Sequence, residues 1–175
     1  MWAAQSHSSA STCFFVLEVA NRSVHRLGTT TNPDGRWTTQ QILTLVRDLG
    51  ERATQFRFLV RDRAGQFTAS FDAVLADVGI QVVRIPPRCP RANCFAERFI
   101  RTLRAELSDR MLIVNQRHLR AVLTEYVRHY NGRRPHRARD LRPPRPTHPT
   151  ADLNHEGIKR QPVLGGLINE YERVA

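Results

Sequence analysis

The stretch between residues 38 and 85 constrains the fold most, because helical and extended patterns alternate along it. Ile42, Leu45, Val46 and Leu49 fall at i, i+3, i+4 and i+7, which predicts a helix capped by Thr38 or Thr39 and stopped by Gly50. "FRFLVRDRAGQFT", residues 56–68, follows as a mostly buried strand in which Phe56, Phe58 and Val60 alternate with Arg57, Leu59 and Arg61, ending at Asp62. Phe71, Val74, Leu75 and Val78 repeat the helical spacing, Gly79 closes that helix, and "IQVVRI" is a further strand broken by Pro86-Pro87. Upstream, "CFFVLEVANRSVHRLG" reads as two strands joined by a turn at Asn21-Arg22. Downstream come two helices. In the first, Phe95, Phe99, Leu103 and Leu107 form an apolar stripe joined by Ala96 and Ile100; the second is capped by Asn115 and turns Leu119, Val122, Leu123, Tyr126, Val127 and Tyr130 inward. Strands first, then alternation, then two helices predict an α/β domain with a mixed sheet flanked by helices.

A chain of 175 residues with 41% hydrophobic residues suits one domain with a tail. Its formal charge of +11, from 27 Lys+Arg against 16 Asp+Glu, points to a polyanionic partner. The positive charge is nearly all arginine, which suits bidentate phosphate contacts, so nucleic acid is favoured over a membrane surface. No apolar run reaches the roughly 18 residues that a bilayer span needs. The first twenty residues lack a positive n-region and include Glu18, which argues against a signal peptide. Cys13, Cys89 and Cys94 form no C-x-x-C pair, so free, mostly buried thiols in a reducing cytosol are expected, with Cys94 as a small core filler. Residues 1–11 are small and polar and are predicted to be disordered. Pro143, Pro144, Pro146 and Pro149 mark 141–162 as a linker between a core at 12–140 and a tail segment at 163–175.

Asp62 and Glu97 are the candidate chemical pair. One ends a strand and the other opens a helix entered through a proline-rich loop, with 34 residues between them. Two carboxylates facing each other among arginines can hold a hard cation such as Mg²⁺ or Mn²⁺. The alternative is that Asp62 caps a turn while Glu97 pairs with Arg101 at i, i+4. Spacing alone leaves both readings open. Asn93, Glu97, Arg101 and Arg104 share one helix face, where a DNA backbone would pass. Arg98 adds to that helix's positive charge, and Arg133, Arg134, His136 and Arg137 form a second cluster in which Arg134 and His136 pack or orient the site.

Three ordered motifs, "VRDRAGQFT", "GIQVVRIPPRCPRANCFAERFIRTLRAEL" and "YNGRRPHRA", resemble the integrase-core (DDE) transposases of bacterial insertion sequences, relatives of retroviral integrases with a ribonuclease H-like fold. The family's Asp with its Gly/Gln-aromatic turn matches Asp62, Gly65, Gln66 and Phe67. Its Pro, Asn and Glu pattern matches Pro87, Asn93 and Glu97, and its terminal Tyr-Asn-x-x-Arg-Pro-His matches Tyr130, Asn131, Arg134, Pro135 and His136. The resemblance covers roughly residues 13–145. It implies metal-dependent DNA cleavage and strand transfer, with Asp62 and Glu97 as the second and third acidic ligands of Mg²⁺ or Mn²⁺. It also implies DNA contacts from Asn93, Arg98, Arg101, Arg104, Arg134 and His136, with element ends and target DNA as partners. A homo-oligomeric active complex and a cytoplasmic, nucleoid-associated location go with it. The family's first catalytic Asp stands on an opening strand, and "MWAAQSHSSAS" holds no acid there. The expectation is therefore a chain without its first strand or an upstream helix-turn-helix region, carrying two of three catalytic acids and inactive alone. Glu18 is placed on the second strand as an ordinary residue. The alternative function is a non-catalytic remnant that binds DNA or a full-length transposase.

Overall fold

The computed structural model describes residues 1–8, 11–147 and 157–174. Strands β1 (Trp2–Ser8), β2 (Ser11–Leu17) and β3 (Val24–Thr30) form a meander, followed by helix α1 (Gly35–Leu49), β4 (Phe58–Arg61), α2 (Ala69–Ala76) and β5 (Gln81–Arg84). Then come α3 (Cys94–Leu103), extended by a π-helical turn at Arg104–Ser108, α4 (Gln116–Gly132), and a hairpin of β6 (Gly157–Val163) and β7 (Ile168–Val174). The main sheet has the order β3-β2-β1-β4-β5. β1, β2 and β3 are antiparallel neighbours, whereas β1 runs parallel to β4 and β4 to β5. The predicted mixed sheet flanked by helices is what the structure contains.

Both faces of this sheet are covered, which explains why β2 is an unbroken apolar run instead of an alternating one. Phe14 and Val16 join Ile42, Leu45, Leu49, Phe71 and Leu75 from α1 and α2 on one side. Cys13, Phe15 and Leu17 join Ala96, Phe99, Leu103, Leu119, Val122 and Tyr126 from α3 and α4 on the other. Burying each large side chain here contributes about 1.5–3 kcal/mol. The turn after β2 sits at Asn21-Arg22 as the sequence implied, with Arg22 held at φ 67°.

Several expectations are corrected. Where disorder and a missing first strand were predicted, Trp2–Ser8 forms a strand at the centre of the sheet, with Trp2 paired to both Leu17 and Val60. Its small polar composition hid a strand that borrows its stability from neighbours on either side. In β4 the inward set is Leu59 and Arg61, while Phe58 is exposed and Val60 half-buried. Arg61 can be buried because its guanidinium bonds Asp72 of α2 through Nε (3.0 Å) and Nη2 (2.7 Å). Helix α1 starts earlier than predicted, because Asp34 accepts from the Trp37 N–H at 2.7 Å and caps it; Asn115 caps α4 as expected. Cys94 is exposed, since the register of α3 turns Ala96 and Phe99 inward instead.

The segment read as a linker and tail is also more ordered than its prolines suggested. Pro144 is buried, and Arg145 donates from Nη2 to Glu18 at 2.7 Å. Val163 and Leu164 join the α3–α4 core. Glu170, also buried, lies 2.9 Å from His129 Nδ1 and holds β7 against α4. The stretch 148–156 lies outside the described residues.

Candidate functional site

Asp62 directly follows β4. Extending the Trp2–Val60 register by two residues brings Ala4 of β1 level with it, with Gln5 next along. The Asp62 backbone is fixed from below, because the buried Arg61 donates from Nη1 to the Asp62 carbonyl at 2.9 Å. Burial pushes the Asp72 carboxyl that anchors Arg61 upward, but hydrogen bonds from Arg61 and Arg84 outweigh this and lower its pKa. One Asp62 carboxylate oxygen accepts from the Ala64 N–H at 3.0 Å, so the turn-capping role is real. Glu97 is exposed in the first turn of α3, a helix that packs against β1, and it makes no ion pair with Arg101.

Asp62 follows β4 and Glu97 stands on α3, and β1, which neighbours both elements, has no Asp or Glu anywhere in Trp2–Ser8. No group of three or more His, Cys, Asp and Glu suited to a metal ion occurs among the described residues. Two isolated carboxylates do not fit a pair of divalent ions, which need more charge and more oxygens than these supply. Glu18 does not fill the gap. It follows Leu17 on β2 and so lies toward Met1, roughly 10 Å along the strand axis from the level of Asp62, with β1 between. There it serves as the hub of a buried cluster with His25 Nε2 (2.6 Å), Asn21 Nδ2 (2.6 Å), Arg145 Nη2 (2.7 Å) and Arg52 Nη2 (3.3 Å).

The candidate DNA-binding residues separate into two groups. Arg101 and Arg104 are exposed and share a helix face with Glu97 and the half-buried Asn93. Arg98 lies about 100° round the helix from Glu97 and lines a separate cavity of about 210 Å³ together with Arg134 and His136. Arg134 is engaged inside the fold, donating from Nε to both Glu106 oxygens at 3.0 Å, while Tyr126 donates its hydroxyl to the same carboxylate at 2.8 Å. Burial raises the Tyr126 pKa, and the Glu106 charge raises it further. His136 packs edge-on to Tyr130 with ring centroids 4.8 Å apart. Burial, with the Arg134 charge beside it, lowers the His136 pKa.

A family profile described as "Integrase core domain" matches residues 78–144, which hold α3, α4 and the terminal motif. Among solved structures the chain resembles the catalytic core domain of BIV integrase, at 17% identity and a TM-score of 0.60, over 82% of this chain and 88% of that one. The chain has the fold of an integrase catalytic core. A comparison with curated proteins gives no match. Integrase-core proteins generally use divalent metal ions, and β1 of this chain carries no acid. No helix among the described residues is long and apolar enough to cross a membrane.

Within this fold, the Tyr130-Asn131-Gly132 part of the terminal motif has a structural duty that the sequence reading missed. The Asn131 side chain accepts from the Val24 N–H at 2.9 Å and donates to the Val24 carbonyl at 2.8 Å, pairing with the outer strand β3 as another strand would. Its own carbonyl accepts from the Arg145 N–H at 2.7 Å. Gly132 leaves room for Thr147, whose side chain would lie 3.2 Å from an added Cβ. Asn131→Ala would orphan both Val24 backbone groups, and an expected loss of about 1–3 kcal/mol should appear as a lowered urea midpoint. An unchanged midpoint would show that water replaces the clamp without cost.

Proposed function

We propose that this chain is an integrase-type core that binds DNA in the context of transposition and cannot by itself cleave or join it. The observation that carries the reading is β1: the strand stands beside β4 as the fold requires, yet it brings no acid to the end of β4 that Asp62 follows. The net charge of +11 and the exposed Arg101 and Arg104 support duplex binding through backbone phosphates. Asp62 and Glu97 are read as the two remaining acids of a metal-dependent strand-transfer site, with Mg²⁺ or Mn²⁺ as the ions that a complete set would take. Element ends and target DNA are the partners in this reading. The chain acts in the cytoplasm at the nucleoid, as a DNA-binding subunit in an oligomer with complete copies that supply the chemistry.

Duplex affinity should be weak, nearly independent of sequence, and should fall steeply between 50 and 200 mM salt, roughly tenfold or more for a few phosphate contacts. Arg101→Gln with Arg104→Gln should weaken binding uniformly across sequences and reduce the salt slope by about two. A fluorescence-anisotropy titration decides this, and affinity insensitive to salt would sink the phosphate-contact account. In parallel, nicking of DNA by the natural chain with Mg²⁺ or Mn²⁺ would favour the competing reading, an active strand-transfer enzyme.

A further inference from the structure

The cavity beside Arg98 has a composition that neither the carboxylate edge nor the fold explains. It lies between the turn after β2, the side of α3 turned away from Glu97, and the segment following α4. Arg22, Arg98, Arg134, His136 and Arg137 line its about 210 Å³, with Phe95 among its walls and no Asp or Glu in the lining among the described residues. Arg22 is held there by a left-handed backbone, φ 67°, and its guanidinium stacks over the Phe95 ring at 4.1 Å. Non-glycine residues adopt that conformation at a cost, so it is sustained by its surroundings.

Two wall groups lack partners. Arg22 Nη1 and His136 Nε2 are enclosed and have no hydrogen-bond partner among the described residues. A guanidinium cannot shed its proton, so an enclosed Nη1 without an acceptor is an unmet demand for one. The lining offers no carboxylate to meet it. Of the four arginines, Arg134 is already matched by Glu106. Arg22, Arg98 and Arg137 have no carboxylate within 4 Å among the described residues, so no ion pair there compensates their charges.

We propose that this pocket binds a phosphate group. Its volume exceeds a single phosphate and leaves room for part of an attached sugar, and its fixed guanidinium forks match phosphate oxygens. The phosphate can come from a DNA strand or from a free nucleotide or inorganic phosphate. The site rests on the DNA reading only in the first case, and its arginines are distinct from Arg101 and Arg104.

Two probes separate these cases on the full chain. Inorganic phosphate is followed by thermal shift at constant ionic strength, and a labelled duplex by anisotropy across a salt series. Phosphate should raise the melting temperature of the natural protein and of the Arg101→Gln/Arg104→Gln variant. The rise should be abolished in Arg22→Gln/Arg137→Gln and in Arg98→Gln/Arg137→Gln, the latter altering only exposed side chains. If DNA is the source, the second pair of variants should also lose about tenfold in duplex affinity, with a salt slope shallower by about two. Loss of the phosphate response with duplex binding intact assigns the pocket to a small anion. A phosphate response in a protein that fails to bind duplex removes the DNA reading and leaves the pocket standing. Duplex binding unaltered in both pocket variants, with no phosphate-dependent shift in the natural protein, overturns the pocket and leaves the DNA reading standing.

Discussion

Gln5→Asp is expected to give this protein a response to divalent ions that it lacks as it stands. β1 and β4 run parallel with Trp2 opposite Val60, so position 5 lies one residue beyond the level of Asp62, on a strand about 4.8 Å away. An amide at that position brings an oxygen but no charge, whereas Mg²⁺ and Mn²⁺ sites are anchored by carboxylates. The natural chain should therefore melt at the same temperature with and without millimolar Mn²⁺. The variant should be stabilised, by about 2.7 kcal/mol when the ion is at a hundredfold its dissociation constant. For a chain of this size that is roughly 5–10 °C. Metal-dependent nicking should emerge with it and vanish again on Asp62→Asn or Glu97→Gln, since even a 1 Å misplacement of reacting groups costs on the order of a hundredfold in rate. A natural chain that already gains stability from Mn²⁺, with Gln5→Asp adding nothing, would show that Asp62 and Glu97 suffice and that β1 is irrelevant to the ion.

Glu18→Ala should be the most damaging single change to the fold. Burial by itself would raise the Glu18 pKa. Hydrogen bonds from His25 and Asn21 and the charges of His25 and Arg145 more than reverse this and hold it at about 2. Because the folded value lies below the unfolded one of 4.5, the stabilisation is complete above the unfolded pKa and is lost as pH falls toward 2. A shift of that size corresponds to about 3 kcal/mol. At neutral pH the alanine variant also strands Arg52, Arg145 and His25 around an empty position, so a cost of about 3–5 kcal/mol is expected. Urea unfolding at pH 7 and pH 3 separates the two effects: the natural protein should weaken strongly toward pH 3, and the variant much less. Parallel pH profiles for both proteins would remove Glu18 from the acid sensitivity.

Periodicity revealed the helices because their apolar faces are long and regular. Ile42, Leu45 and Leu49 are buried as their spacing implied, and so are Phe99, Leu103 and Leu107. β1 was illegible for the opposite reason: a short central strand draws its hydrogen bonds from β2 and β4, and its small residues carry little signal of their own. Arg61 misled the reading of β4, since a buried arginine is intelligible only with Asp72 in view, eleven residues away. At the site, motif spacing identified the edge that holds Asp62 and the helix that holds Glu97. It did not separate Arg101 and Arg104 from Arg98, Arg134 and His136, because that division depends on how the chain returns after α4. Arg22 was legible only as a turn residue, and nothing in its spacing marked it as a wall of that cavity.

The amide clamp from Asn131 to Val24 bears on how relatives of this protein are recognised. Asn131 closes the outer strand of the sheet through both backbone groups of Val24. A lineage that loses its first acid would still be under pressure to retain the asparagine, because a loosened β3 threatens folding whatever the chain's activity. The terminal signature therefore reports an intact scaffold. A search keyed to it would collect chains with and without an acid on the short front strand, because the clamp is indifferent to what that strand carries.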